Sequence, residues 1–329
     1  MKKKVLITGG TGFIGSHLAE FLSKKNFKVT VFDRYNPIYN LGNLKNSKYQ
    51  NKIKFIFGDI RDYDSTNKAV KNNDIIIHLA ALIGIPYSYH SPLAYIKTNL
   101  EGTYNILESV KNNKKKKLIT TSTSEVYGSA NYTPIDEKHT LKPQSPYSAS
   151  KIASDNLALS YYNSFKTPVI ILRPFNTFGP RQSERAIIPT IINQILRSKN
   201  NTITLGNLYP KREFNYVEDI CEAFFKSLNV NKFGGIYNIG NSYEISIKNL
   251  AFLISKIMKK KIKIKTSKIR LRAKNSEVDL LKSDSKNFTK LTGWRPRFKG
   301  KKGLIKGLEM TVKYFLNNPN LEVKNKYII

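Results

Sequence analysis

Lys4-Val5-Leu6-Ile7-Thr8-Gly9-Gly10-Thr11-Gly12-Phe13-Ile14-Gly15 begins as a short apolar strand, turns on glycines and runs on as a helix. Gly9, Gly12 and Gly15 have the spacing G-x-x-G-x-x-G. A turn this tight needs a residue without Cβ. A pyrophosphate needs close approach to the backbone, and the helix must pack hard against the strand it follows. The helix start then faces an anion with free amides and the positive end of its dipole. Glycines also cluster in ordinary turns, so the strand–loop–helix context carries the reading: a dinucleotide loop.

Outward from that loop, strands and helices alternate. Strand-like runs fall at Lys4–Thr8, Lys28–Phe32, Lys54–Phe57, Ile75–Leu79, Lys117–Thr121 and Val169–Arg173. They are apolar with little alternation, as in strands buried on both faces of a parallel sheet. Between them the spacing predicts helices over 92–112 and 146–165. Leu93, Ile96, Leu100, Tyr104 and Leu107 recur at helical spacing in the first, with Ser91 as its cap and Pro92 in its first turn. The fold class is α/β: a Rossmann-type doubly wound parallel sheet with a smaller C-terminal substrate-binding lobe. Residues 1–175 form the dinucleotide-binding domain. Residues 176–329 form mainly the lobe, with some segments returning to the sheet. Helices are expected near 185–198, 217–229, 246–258 and 303–317. Short strands are expected near 202–205, 236–239 and 262–265. Trp294 reads as a core anchor.

The chain has 329 residues, 40% of them apolar, enough for a sizeable core. One cysteine, Cys221, excludes a disulfide framework and a cysteine zinc cluster, and suits a reducing compartment. Lys and Arg number 56 against 23 Asp and Glu, a balance of +33. The lysines are spread along the chain, and the densest run, Lys114 to Lys117, is short. This reads as solvated basic faces, with no nucleic acid expected as partner, although part of the charge suits an anionic substrate. The basic start, Met1-Lys2-Lys3-Lys4, lacks a cleavage site behind it, and Ile75 to Pro86 is too short to span a bilayer. A cytoplasmic protein with no membrane partner is expected.

Asp33 ends the second strand, 18 positions after Gly15. An acid there accepts from ribose hydroxyls and repels a 2′-phosphate, which favours NAD over NADP; the adjacent Arg34 pulls the other way. Asp59 and Ile60 follow the third strand, where an adenine would lie. Leu79, Ala80 and Ala81 follow the fourth and are small enough for a cofactor to lie along them. Tyr147 and Lys151 stand four apart at the start of a helix and share one face. An ammonium beside a phenol is expected to lower the phenol's pKa and make it a base near neutral pH. No His, Asp or Glu spacing argues for a metal.

With these residues in hand, the sequence resembles the extended short-chain dehydrogenase/reductase family, the sugar-nucleotide epimerases and dehydratases. The resemblance runs through Gly9/Gly12/Gly15, Asp33, Asp59, His78-Leu79-Ala80-Ala81, Asn99, Ser122 to Gly128 and Tyr147/Lys151. It continues through Arg173 to Arg181, Arg212 to Asp219 and Gly293-Trp294-Arg295-Pro296. It implies a tightly held NAD contacted by Gly9, Gly12, Phe13, Ile14, Gly15, Asp33, Arg34, Asp59, Ile60, Leu79, Ala80, Ala81, Asn99, Thr121, Tyr147 and Lys151. It implies Ile85, Thr123, Asn176, Arg181, Arg212 and Arg272 around a nucleotide sugar, two of the arginines and an amide on the diphosphate. Helices 92–112 and 146–165 match a pair that builds a homodimer in this family.

The resemblance also implies the reaction. Thr123 and Tyr147 serve the C4 hydroxyl, and hydride leaves C4. A carboxylate at Glu125 can take the C5 proton made acidic by a 4-ketone, with loss of water at C6: a 4,6-dehydratase. The dTDP-glucose 4,6-dehydratases this resembles have aspartate where Ser124 stands, so Glu125 is given both the base and the acid role. Ser124-Glu125 is similar to UDP-glucuronate decarboxylases, and a 4-epimerase needs no acid here. Residues 80–92, 174–183 and 187–190 look most like dehydratases acting on UDP- or GDP-linked N-acetylglucosamine in legionaminic-acid and related pathways of cell-surface polysaccharide biosynthesis. A non-catalytic NAD- or RNA-binding relative is a further class, disfavoured because Thr123, Glu125, Tyr147 and Lys151 are all present. His90 is a weak catalytic candidate near the C6 end, and His139 reads as structural.

Overall fold

The structure, a computed structural model, describes residues 3–114 and 116–319. Met1, Lys2, Lys115 and residues 320–329 enter the readings of the basic start, the lysine run and the C-terminal lobe, and lie outside the described residues.

Seven parallel strands form the central sheet in the order β11-β6-β5-β4-β1-β2-β3. They are β1 (Lys4–Thr8), β2 (Lys28–Arg34), β3 (Ile53–Gly58), β4 (Ile75–His78), β5 (Lys117–Thr121), β6 (Val169–Pro174) and β11 (Ile236–Ile239). The order reverses at β1, so the crevice at the carboxyl ends of β1 and β4 is the switch point where ligands bind in such sheets. Successive strand residues point to opposite faces. Val5 and Ile7 pack with Leu18, Ala19 and Leu22 of α1 (Phe13–Lys24) and with Ile220 and Phe224 of α8 (Val217–Ser227). Leu6 packs on the other face, with Val70 of α2 (Tyr63–Lys71), Ile106 and Leu107 of α5 (Gly102–Asn112) and Ala158 of α6 (Pro146–Phe165). Both faces are thus dry, and the strands need no polar alternation.

The lobe is a separate core. Ile188, Ile191 and Ile195 of α7 (Ile187–Arg197) meet Leu250 and Ile254 of α9 (Ile247–Ile257) and Leu304 and Leu308 of α11 (Gly300–Asn317). Three small two-stranded sheets accompany this core. These are β7 (Thr177–Phe178) with β10 (Asn215–Tyr216), β8 (Thr202–Leu205) with β13 (Lys263–Thr266), and β9 (Lys211–Glu213) with β12 (Glu244–Ser246). Trp294 is buried against Phe288 of α10 (Lys286–Thr292), its indole N–H donating to the Asp219 carbonyl.

The lobe's return to the sheet is located, and two expectations are corrected. The 236–239 strand belongs to the main sheet, paired with β6, and α8 returns with it to pack on α1. The 92–112 helix is not uniform: α4 (Pro92–Tyr95) passes through a π-turn at Ile96–Glu101 into α5. Leu93, Ile96 and Tyr104 are exposed, while Leu107 is buried. Ser91 does not cap α4 with its side chain. The 146–165 helix agrees to the residue, its start fixed by a Ser145–Ser148 capping box and Pro146. Between β4 and α4, sequence periodicity missed the short α3 (Ile85–His90).

Candidate active site

The glycine loop is held by backbone contacts. Gly9 has φ +69°, and a Cβ there would lie 2.9 Å from Ala80 Cα. A Cβ on Gly15 would lie 2.2 Å from the Gly9 carbonyl oxygen. Gly12 begins α1 with no side chain capping it, so the first amides of the helix, at Phe13 and Ile14, remain for an anion. These features fit a dinucleotide's pyrophosphate. The Asp33 carboxylate at the end of β2 accepts from the Thr11 amide at 2.9 Å and the Thr11 hydroxyl at 2.6 Å. It also accepts from the Arg34 amide, and Arg34 itself is exposed. Asp33 thus fixes the loop with one oxygen and keeps lone pairs for a ribose. Asp59 is taken up by Arg61, whose guanidinium holds the carboxyl below the usual carboxylate range. Ile60 is buried, its side chain against Gly102 and its carbonyl accepting from Asn105. Arg61 was not singled out in the sequence.

One directed chain of hydrogen bonds crosses from this loop toward α6. Thr8 Oγ1 accepts from the Leu79 and Ala80 amides, so its own proton goes to His78 Nδ1 at 2.8 Å. His78 Nε2–H then donates to Thr103 Oγ1, whose proton goes to the Asn99 carbonyl. This assigns the tautomer from the network. Burial drives the His78 pKa down to about 3, so the ring is neutral. Asn99, brought inward by the π-turn, grips both backbone groups of Leu82 and donates to Ser150 Oγ at 2.9 Å. Asn99 therefore shapes the wall from Leu79 through Ala81 to Leu82.

Tyr147 and Lys151 face the end of β5. Thr123 hydrogen-bonds the Tyr147 phenol, and its Oγ1 also accepts from the Glu125 amide at 3.3 Å. Lys151 Nζ donates to the Thr121 carbonyl at 2.7 Å. The Thr121 hydroxyl is buried without a partner. The expected lowering of the phenol pKa does not hold in this state. Burial pushes Tyr147 above its ordinary range, opposed by the Thr123 hydrogen bond and reinforced by Glu125, Tyr95 and Asp155. Burial likewise pulls the Lys151 ammonium down. Ile85 and Tyr95 close over Tyr147, the Tyr95 ring edge-on to it at 6.2 Å. Tyr95, missed in the sequence, has its own pKa pushed up to about 12 by burial.

Glu125 is nearly buried in a short 3₁₀ turn after Thr123, with Ser124 buried beside it. Its carboxylate lies 3.7 Å from Arg272 Nη1. Arg272 is 3.9 Å from Glu277, and Glu277 pairs with buried Arg212 at 3.1 Å. The buried Arg272 Nη1 has no hydrogen-bond partner. Asn176 donates to the Glu213 carbonyl at 3.3 Å, beside Arg212 in β9. Glu125, Arg212 and Arg272 are thus brought together, with Asn176 alongside. Arg181 is held elsewhere, by Glu20 of α1 at 2.9 Å. His139 is structural: Nε2 accepts from the Asn131 amide and Nδ1 donates to the Thr140 carbonyl. His90 is exposed at the end of α3. Glu277 was missed because its role depends on a loop that brings residue 277 beside residue 212. Among the described residues, no three His, Cys, Asp or Glu side chains are grouped to hold a metal.

Comparison with known proteins fits this geometry. The family model for GDP-mannose 4,6 dehydratase matches residues 6–306. A dTDP-D-glucose 4,6-dehydratase of Dictyostelium discoideum is 42% identical over 259 residues, covering 74% of this chain but only 59% of that protein's length. The UDP-N-acetylglucosamine 4-epimerase of Methanobrevibacter ruminantium M1, solved with UDP-N-acetylmuramic acid, superposes with a TM-score of 0.85 and 31% identity, over 97% of this chain and 100% of that one. DesIV, a dTDP-glucose 4,6-dehydratase of Streptomyces venezuelae solved with NAD bound, gives a TM-score of 0.86 and 27% identity, over 96% and 97% of the two chains.

Proposed function

The chain belongs to the extended short-chain dehydrogenase/reductase family, in its GDP-mannose 4,6-dehydratase branch, and on that premise we propose that it is an NAD-dependent nucleotide-sugar 4,6-dehydratase. The observation that carries the reading is Glu125: a carboxylate set two residues beyond Thr123, electrostatically coupled to Tyr147, and beside two arginines. NAD, when bound in the glycine loop, supplies the two-electron chemistry, accepting hydride from C4 of the sugar and returning it at C6. Tyr147 Oη takes the proton of the C4 hydroxyl, which Thr123 orients. Lys151 holds positive charge behind the phenol. Glu125 takes the C5 proton, the C6–O bond breaks, and that proton leaves with the C6 hydroxyl as water. As hydride returns to C6, C5 takes a proton from solvent, and the proton on Tyr147 is released to solvent when the site resets, so the sum is loss of one water with no net oxidation. Arg212 and Arg272 meet the diphosphate as a pair of charged donors, with Asn176 beside them.

The finer substrate reading is UDP- or GDP-linked N-acetylglucosamine, supported by the likeness of residues 80–92, 174–183 and 187–190 to that group. The dTDP-glucose acted on by the relatives is the competing substrate. The epimerase neighbour keeps a 4-epimerase in view, because Ser124 supplies no acid at the dehydratase aspartate position. We further propose a cytoplasmic homodimer through 92–112 and 146–165: Leu93, Ile96 and Tyr104 are exposed along the first helix and Phe165 ends the second. Among the described residues no helix is long and apolar enough to cross a membrane. Incubating the NAD-loaded protein with UDP- and GDP-N-acetylglucosamine, dTDP-glucose and UDP-glucuronate, followed by mass spectrometry, tests the reading. Loss of water from one substrate supports it. Loss of CO2, or an isomer of unchanged mass, replaces it with decarboxylase or epimerase.

A further inference from the structure

Tyr147, Lys151 and Asp155 stand at i, i+4 and i+8 on one face of α6. Each meets a different residue at the end of β5. Tyr147 meets Thr123, Lys151 donates to the Thr121 carbonyl at 2.7 Å, and Asp155 Oδ2 accepts the Ser122 hydroxyl at 2.7 Å. The same Oδ2 accepts Arg173 Nε at 3.0 Å. Arg173 Nη1 donates to Tyr127 Oη, which donates to Asn238 Oδ1, so the arginine that holds the carboxylate is itself tied across to β11. Asp155 and Arg173 are 2% and 1% exposed.

A buried ion pair is a poor source of stability, because two desolvation penalties offset its Coulomb gain. This one sits under a lysine that is itself buried and bonded to a neutral carbonyl. We propose that Asp155 is a positioning residue of the active site, which fixes the strand end carrying Thr123 through Ser122 and supplies the negative charge that keeps Lys151 an ammonium. The proposal rests on the reading of Tyr147 and Lys151 as the proton-transfer pair. The electrostatics agree in sign: burial pulls the Lys151 ammonium down, and the Asp155 carboxylate pushes it back up. The same carboxylate contributes to raising Tyr147. Arg173 opposes both effects by neutralising Asp155 in part.

The test compares kcat–pH profiles and melting curves of the NAD-loaded wild type, Asp155→Asn, Ser122→Ala and Arg173→Met. Asp155→Asn removes the charge and keeps the size. It is expected to move both limbs of the kcat profile to lower pH, by roughly half a pH unit or more. Arg173→Met leaves Asp155 uncompensated and moves both limbs the other way. Ser122→Ala keeps every charge; it lowers kcat about tenfold with KM nearly unchanged and the limbs in place. A purely structural pair would lower the melting temperature and leave the limbs where they are, which overturns the proposal. If neither charge variant folds, Ser122→Ala decides: unchanged kcat overturns it, and a fall in kcat at constant KM and melting temperature upholds it. Tyr147→Phe, run alongside, separates the two readings. Full turnover in that variant refutes the Tyr147 assignment itself, whereas a dead Tyr147→Phe with unmoved Asp155→Asn limbs refutes only the role of Asp155.

Discussion

The Lys151 ammonium donates to the Thr121 carbonyl at 2.7 Å, so the cation is anchored to the strand end that also carries Thr123. The phenol of Tyr147 is raised by burial in this state. Its proposed use as a base would therefore depend on added positive charge, from Lys151 and from the oxidised cofactor that the glycine loop would hold.

Tyr147→Phe removes the oxygen proposed to take the C4 proton and keeps the ring that packs on Ile85 and Tyr95. Turnover is expected to fall by about 10²–10⁴ with the melting temperature nearly unchanged. Product formation followed by mass spectrometry checks this, and a wild-type rate would refute the role.

Glu125→Gln separates the two halves of the chemistry. Oxidation at C4 should continue, seen as absorbance of the reduced cofactor, while water loss drops by about 10²-fold or more. Deuterium from the solvent should no longer enter C5. Dehydration at the wild-type rate would remove Glu125 from the mechanism.

The glycine loop was legible because its demands are local. Gly15 lies against a carbonyl of its own loop, so three residue identities and their spacing were enough. Helix 146–165 was legible because Ser145 and Pro146 mark its start. The π-turn at Ile96–Glu101 was not, since one inserted residue leaves a helical period almost intact in sequence. Glu277 beside Arg212, and Arg61 on Asp59, follow from loop paths that periodicity does not encode. Asp155 was within reach: it stands four after Lys151, on the same helical face, but nothing in the sequence places Ser122 and Arg173 against it.

Gly15→Ala tests the cradle. The added methyl would lie 2.2 Å from the Gly9 oxygen, and backbone must move to admit it. The expected loss is about 1–3 kcal/mol of stability. NAD affinity should fall by about tenfold or more, because the same backbone approaches the pyrophosphate. Thermal melts with and without NAD, together with NAD titration, read both effects.

His78 gives a pH dependence with a definite sign. Its pKa falls from 6.5 in the unfolded chain to about 3 in the fold, through burial. The unfolded state therefore binds the extra proton throughout that window, and stability rises with pH across it. As pH drops from about 6.5 the fold should lose stability, by an amount on the order of several kcal/mol near the lower end. His17, lowered to about 4 mainly by burial, acts in the same direction. Denaturant midpoints at a series of pH values should slope less steeply for His78→Asn than for the wild type. Equal slopes would mean that His78 is already charged in the native state.

The most direct measurement is the mass of the product formed from each nucleotide sugar in deuterated water by the NAD-loaded protein. The account predicts a 4-keto-6-deoxy product that has lost one water and carries solvent deuterium at C5, formed by the wild type and not by Glu125→Gln. An isomer of unchanged mass, or loss of CO2 from UDP-glucuronate with water loss from none of the sugars, would contradict it.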